Sequence, residues 1–217
     1  MDRKMKILAV GAHPDDVELY MMGTLLKYIE QGHEVIVIIA TDGDFELGNS
    51  NKELSKKRLK EAIASFLKVN IKPMFLHYQD GFLLNSDAIY KEVKKIVNDI
   101  EPDIIFTHSP NDYHSDHRNL SKIITDCWQG IVFFADTMAG VDFEPQYYVD
   151  ISSQFEQKKS MLMEHKTQLD SKVVDMIELQ NRFRGLQCNW GMVTKYAEAF
   201  RVFNRIYSTI AYNYLPY

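Results

Sequence analysis

Ile7-Leu8-Ala9-Val10-Gly11-Ala12-His13-Pro14-Asp15-Asp16 is the stretch on which the fold reading turns. A short apolar run bounded by glycine suits a strand buried on both faces, as in a parallel sheet. The chain then passes through small residues into a histidine, a proline and two adjacent carboxylates. Further on, Leu19, Met22, Leu26 and Ile29 recur at helical spacing, and Gly32 ends that helix.

The alternation repeats downstream. Val35 to Ala40, Met74-Phe75-Leu76, Ile104-Ile105-Phe106 and Ile131 to Phe134 read as further strands. Between them, helices are marked by Leu59, Ile63, Phe66 and Leu67, by Ile89, Val93, Ile96, Val97 and Ile100 before Pro102, and by Leu120, Ile123, Ile124 and Cys127. Strand–helix alternation at this spacing predicts an α/β fold, a Rossmann-like, mostly parallel sheet sandwiched by helices. Ligands of such sheets bind beyond the carboxyl ends of the strands. Gly11 to His13, Thr41 to Asp44, His77 to Asp80 and Thr107 to His117 each follow a strand, so all four polar clusters fall on one edge. The last third is less regular. Tyr147 to Ile151 reads as a strand, Phe155 to Leu169 and Val174 to Phe183 as helices, and Tyr196 to Phe203 fits either.

With 217 residues and 46% hydrophobic composition, the chain suits one domain spanning 1–217. Its core covers about 5–135, and elements in 136–217 complete the site. The formal net charge of -5 with no long single-sign run gives no reason to expect nucleic acid or membrane binding. Lys56-Lys57-Arg58 and Lys60, interleaved with Glu53 and Glu61, read as a solvated helix face. Cys127 and Cys188 lie far apart in no metal-type spacing, which suits reduced thiols. No signal-peptide core or transmembrane stretch follows the N-terminus, so a soluble cytoplasmic protein is expected.

Two clusters carry chemistry. In His13-Pro14-Asp15-Asp16, Asp15 with Glu18 makes a capping-box-like arrangement, and acids suit a helix N-terminus. That explains one carboxylate, but neither the histidine nor a second acid beside the first. A cation removes the repulsion, and imidazole and carboxylate both bind zinc. In His108 to His117, Ser115 or Asp116 serves as N-cap, yet three histidines and two aspartates exceed what a cap needs. His114 and His117 can reach one site, one binding metal and the other doing proton or oxyanion chemistry.

Ala12-His13-Pro14-Asp15-Asp16-Val17-Glu18 with Gly23-Thr24-Leu25, Arg58 with Glu61 and Ala62, Asp80-Gly81, and His114-Ser115-Asp116-His117 run in order along the chain. Lys158 with His165 and Gln168, then Tyr196-Ala197-Glu198-Ala199-Phe200, follow. In these features the sequence resembles the LmbE-like, or PIG-L, zinc-dependent deacetylases, which remove the N-acetyl group from glucosamine-containing compounds. The resemblance implies that His13, Asp16 and His117 hold one Zn²⁺ per chain. It implies Asp15 as general base, His114 as oxyanion stabiliser or proton donor to the amine, and Arg58 as binder of substrate hydroxyls. Asp116 assists from behind a ligand. Two histidines and one carboxylate leave an open position for water, whose pKa zinc can bring to about 7. Tyr20-Met21-Met22 and Thr41-Asp42-Gly43-Asp44-Phe45 depart from the family's pattern, which puts the substrate's identity rather than the chemistry in question.

The expected partner is a small N-acetylated amino sugar or conjugate. The rivals are a zinc amidase for a non-sugar amide and a non-catalytic or nucleotide-binding α/β domain. The latter lacks any Gly-x-Gly-x-x-Gly or Walker-type loop. His33 is expected against a helix end, His77 as a packed, hydrogen-bonded residue, His108 behind the site, and His165 in a structural role. Tyr207 to Tyr217 is too apolar for a free tail and packs on its own domain or on a neighbour, so a homo-oligomer is possible.

Overall fold

In the computed structural model, β1 (Lys6–Gly11) lies near the centre of a seven-stranded sheet, and residues 3–46, 48–140, 142–190, 192–203 and 215–216 are described. Its neighbours are β2 (Glu34–Thr41) on one side and β6 (Ile104–His108) on the other, both parallel to it. β5 (Met74–Tyr78) extends the sheet beyond β2, and β7 (Ile131–Ala135) extends it beyond β6, again in parallel. The adjacency of the strands preceding the two histidine clusters is therefore as the doubly wound order predicts. Between β2 and β5 stand a small antiparallel pair, β3 (Phe45–Glu46) and β4 (Asn49–Ser50), and α3 (Lys52–Leu67), whose N-cap is Asn51.

Alternate β1 residues enter different cores, as a strand's period of two requires. Ile7 and Ala9 join the core built with α1 (Asp16–Tyr20), α2 (Met22–Glu30) and Phe66 of α3. Leu8 and Val10 join the core under α4 (Asp87–Ile100) and α5 (Ser115–Cys127). Two covered faces explain why the strands read as unbroken apolar runs.

The expected helix over Leu19 to Ile29 is two helices, broken at Met21. The break lets α2 press on the C-terminal third: a Cβ on Gly23 would lie 2.7 Å from Ile151. That third contains β8 (Tyr147–Asp150), α6 (Phe155–Leu162), α7 (Ser171–Asn189) and β9 (Ala197–Val202). The segment that fitted either state is β9, antiparallel to both β7 and β8. The helix expected over Phe155 to Leu169 stops at Leu162, because the chain turns to bring buried His165 onto Glu18. α7 is longer at both ends than its apolar spacing predicts, and Asp170 caps it. Of the aromatic Tyr207 to Tyr217 segment, only Leu215 and Pro216 are described. Leu215 packs on the first core.

Candidate metal and catalytic site

The four polar clusters meet at the carboxyl edge of the sheet. Gly11 allows the turn out of β1, since a Cβ there would sit 3.0 Å from Val17 and 3.1 Å from Asp16. Asp15 occupies the N-cap position of α1 with a φ of 150° and makes no capping bond. Glu18 turns away to His165 at 2.8 Å. The capping-box reading is thereby corrected: neither carboxylate of the pair is spent on capping α1, and Asp16 Oδ2 accepts the His13 N–H at 2.6 Å. The expected caps at Ser115 or Asp116 are also displaced, since His114 caps α5 by accepting the Asp116 N–H at Nδ1.

Three donor groups converge. His13 Nδ1 is 3.1 Å from His117 Nε2 and 3.2 Å from Asp16 Oδ2, while His117 Nε2 is 3.3 Å from Asp16 Oδ1. Ligands 2.0–2.1 Å from one tetrahedral zinc stand about 3.3 Å apart, so this donor set fits such an ion. All three residues are buried. The Asp16 carboxylate is held well below its usual range: burial opposes this, but the His117, His108 and His13 rings outweigh it. Against the lowering effect of burial, Asp16 and then Asp112 bring His117 up to about 9. His13 is likewise raised, with Asp16, Asp116 and Asp80 overcoming burial. The carboxylates around the two ring nitrogens, which stand 3.1 Å apart, favour positive charge there, and a metal ion supplies it when both rings are deprotonated at those atoms. Three further groups of donors are close enough to share an ion: Asp16 with His108 and His117, His13 with Asp80 and Asp116, and His13 with His114 and His117.

The far sides of the two rings are held by carboxylates. His13 Nε2 is 3.0 Å from Asp80 and 3.4 Å from Asp116, and His117 Nδ1 is 3.0 Å from Asp112. These are close ionic approaches rather than well-aimed hydrogen bonds, because neither ring nitrogen reaches bonding geometry. Asp116 is itself fixed by the backbone N–H groups of Gly81 and Leu83. His108 stacks on His117 with centroids 3.7 Å apart, and its Nε2 accepts the Ala12 N–H. Burial, then His117, pushes it down to about 4, so it is a neutral support.

Asp15 lies beside this centre, 3.3 Å from Arg58 Nη2. Burial raises its pKa, and Arg58 works against that rise. The guanidinium also reaches Asp80 at 3.4 Å and the Gly43 carbonyl at 3.2 Å. Arg58 is thus corrected away from the solvated face on which Lys56, Lys57 and Lys60 lie; it is buried, with 5% exposure. His114 has its acceptor nitrogen engaged by Asp116 N–H, which leaves Nε2 as an N–H donor. Burial, His13 and His117 all lower its pKa and keep the ring neutral. A pocket of about 300 Å³ joins these residues to Tyr20, Phe45, Tyr113, Met138, Gln168 and Leu169.

Asp80 and Asp112 stand against the site histidines, and sequence reasoning gave neither of them a role. Asp80 stood in a quoted motif without a role. For Asp112, five residues before His117, no periodicity signals the loop that folds it back. His33 and His77 lie outside the site. The His33 ring accepts the Met5 N–H at Nδ1, while the His33 backbone N–H donates to the Tyr28 carbonyl in the last turns of α2. His77 bonds to Asp42 but is exposed rather than packed.

An acid–imidazole cluster with a carboxylate beside it, at the strand ends of a mostly parallel sheet, is a donor arrangement suited to a metal-dependent hydrolase. Residues 8–128, more than half of the chain, match the family described as PIG-L, GlcNAc-PI de-N-acetylase, and the chain belongs to that family of amide-hydrolysing deacetylases. It is 26% identical over 219 residues to the diacetylchitobiose deacetylase of Thermococcus kodakarensis, covering 90% of this chain and 82% of that protein. The N,N'-diacetylchitobiose deacetylase of Pyrococcus horikoshii, solved with an inhibitor, superposes with a TM-score of 0.78 at 25% identity, over 92% of this chain and 84% of that one. The 4-carboxy-2-hydroxymuconate hydratase GalB of Pseudomonas putida superposes with a TM-score of 0.83 at 16% identity, over 93% and 98% of the two chains. That last likeness concerns the fold alone, which hosts more than one chemistry.

Proposed function

We propose that the protein removes the acetyl group from an N-acetylglucosamine-type sugar or conjugate, with one zinc ion held by His13, Asp16 and His117. The observation that carries this reading is the 3.1 Å approach of the two ring nitrogens with the Asp16 carboxylate spanning them, Oδ2 3.2 Å from His13 and Oδ1 3.3 Å from His117, beside a separate buried carboxylate. When bound, the metal supplies Lewis acidity and makes water available as hydroxide near neutral pH. Asp15 takes the proton of the attacking water at its carboxylate. Its burial strengthens it as a base, and Arg58 keeps it ionised and aimed. His114 donates a hydrogen bond from Nε2 to the developing oxyanion, and the proton that Asp15 took from the water passes to the departing amine. Arg58 also lines the pocket, where it binds sugar hydroxyls. Asp112 fixes the direction of the His117 ring, and Asp80 and Asp116 that of His13.

The whole chain works as one unit in this reading, because Gln168 and Leu169 from the C-terminal third close the pocket. No described helix is long and apolar enough to cross a membrane. The unpaired Cys127 and Cys188 support a reducing compartment such as the cytoplasm. The test is acetate release from a panel of N-acetylglucosaminides and non-sugar acetamides, with metal analysis of the wild type and Asp15→Asn. The expected result is one zinc in each protein, turnover of sugar substrates by the wild type, and nearly complete loss in the variant. Undiminished turnover by Asp15→Asn overturns the assigned base, and turnover of non-sugar amides alone overturns the substrate class.

A further inference from the structure

Tyr20 stands in the catalytic pocket with a hydroxyl that the protein does not use. The side chain lines the pocket, yet the residue is only 4% exposed. A buried tyrosine normally gives its O–H a partner, and Tyr196, equally buried, donates to Glu178 at 2.8 Å. The Tyr20 hydroxyl has no hydrogen-bond partner among the described residues. Local structure fixes its place. Tyr20 follows Asp16 by four residues, hence on the same face of α1, and helical side chains lean toward the N-terminus, back toward the donor cluster. All five residues of α1 are buried, which leaves the ring little room to swing. The ring also meets His108 edge-on, with centroids 6.4 Å apart. Burial raises the phenol's pKa, and Asp16, Tyr113, Asp15 and Asp112 add to the rise, so the group stays a proton donor among the site's acids. With no acceptor in the protein, the partner left to it is whatever occupies the pocket.

The two flanks of β1 divide the pocket by chemistry. On the β2 flank, Arg58 reaches the Gly43 carbonyl after β2, Asp80 after β5, and Asp15. On the β6 flank, Tyr20 lies against His108 at the end of β6, and His114 follows that strand. The deacetylase reading puts the base and the sugar hydroxyls on the first flank and the developing oxyanion on the second. We infer that Tyr20 is a second donor to that oxygen, its O–H hydrogen-bonding the substrate's acyl oxygen beside His114 Nε2 as negative charge builds there. This rests on the deacetylase reading and adds a catalytic residue to it. The phenol keeps its proton throughout, so the proton balance of hydrolysis is unchanged. A donor aimed at charge that appears only in the transition state acts on kcat rather than on substrate binding. Tyr20 also belongs to the stretch that departs from the family's pattern, which makes the contact a feature of this chain.

Tyr20→Phe tests this, because it removes one oxygen and keeps the ring. Steady-state acetate release from an N-acetylglucosaminide, zinc content and thermal melting are measured on wild type and variant. The expected result is a kcat lower by about 10- to 100-fold with KM within about threefold. Zinc content is unchanged, and Tm stays within about 2 °C, since no hydrogen bond inside the protein is lost. An unchanged kcat, or a loss confined to KM, overturns the role. Loss of zinc, a larger fall in Tm or outright unfolding overturns it too, because the protein rather than the substrate then depends on the hydroxyl. A wild type that turns over no N-acetylglucosaminide instead refutes the deacetylase reading, and Tyr20's role falls with it.

Discussion

Replacing Glu198 tests how the C-terminal third holds the catalytic edge. Its carboxylate on β9 accepts from the backbone N–H groups of Gly23 and Thr24, from the Thr24 hydroxyl at 2.6 Å and from Lys158 Nζ at 2.7 Å. It therefore caps α2 from across the molecule. Lys158 is fully buried, and burial lowers its pKa against the pull of Glu198. Removing one member of a buried pair strands the other charge, at a cost of about 3–5 kcal/mol. In a chain of this length each kcal/mol shifts Tm by about 2–4 °C, so Glu198→Gln is expected to melt roughly 10 °C lower. The melting should be followed by circular dichroism with chelator present, so that metal binding does not mask the loss. Lys158→Met with Glu198→Gln should recover more than half of it, because no unpaired charge remains. A loss below about 1 kcal/mol for Glu198→Gln, or strict additivity in the double variant, refutes this reasoning.

Gly43→Ala places a Cβ 2.7 Å from the Arg58 guanidinium at a φ of 62°, so kcat/KM should fall at least about tenfold from the displaced arginine, with metal content retained. Asp112→Ala frees the His117 ring and should weaken zinc binding about 10- to 100-fold, read by competition with a chromogenic chelator. Burial pushes the Cys127 thiol up to about 11, so alkylation below pH 9 should label Cys188 first. Because the fold favours the neutral Cys127 thiol, its contribution to stability is intact below the unfolded thiol pKa of about 8.5 and is lost as pH rises toward 11. Mass spectrometry of labelled peptides and melting between pH 7 and 10.5 check both statements.

The strand–helix alternation was legible because strands covered on both faces have no polar residues to interrupt them. Ile7 to Val10 and Ile104 to Phe106 show this most plainly. The convergence of His13, Asp16 and His117 was legible because they sit where strand ends meet helix starts. The broken α1–α2 helix was not, since its cause is contact with Ile151 and Glu198, distant in sequence. The weak signals Gly23-Thr24, Lys158 and Glu198 turn out to be one hydrogen-bonded group, which no local pattern can reveal. Asp112 escaped for the same reason: a loop folds it behind His117. Arg58 looked like one more charge on a basic helix face until Gly43, Asp15 and Asp80 surrounded it.

The central claim is that the His13–Asp16–His117 cradle holds the metal that hydrolysis depends on. Protein stripped by chelation and then titrated with zinc tests it most directly, with acetate release from an N-acetylglucosaminide as the readout. The expected result is no turnover in the stripped protein, recovery that levels off at one equivalent of zinc, and no recovery in His117→Ala. Turnover that persists after the metal is removed, or that returns in His117→Ala at one equivalent, contradicts it.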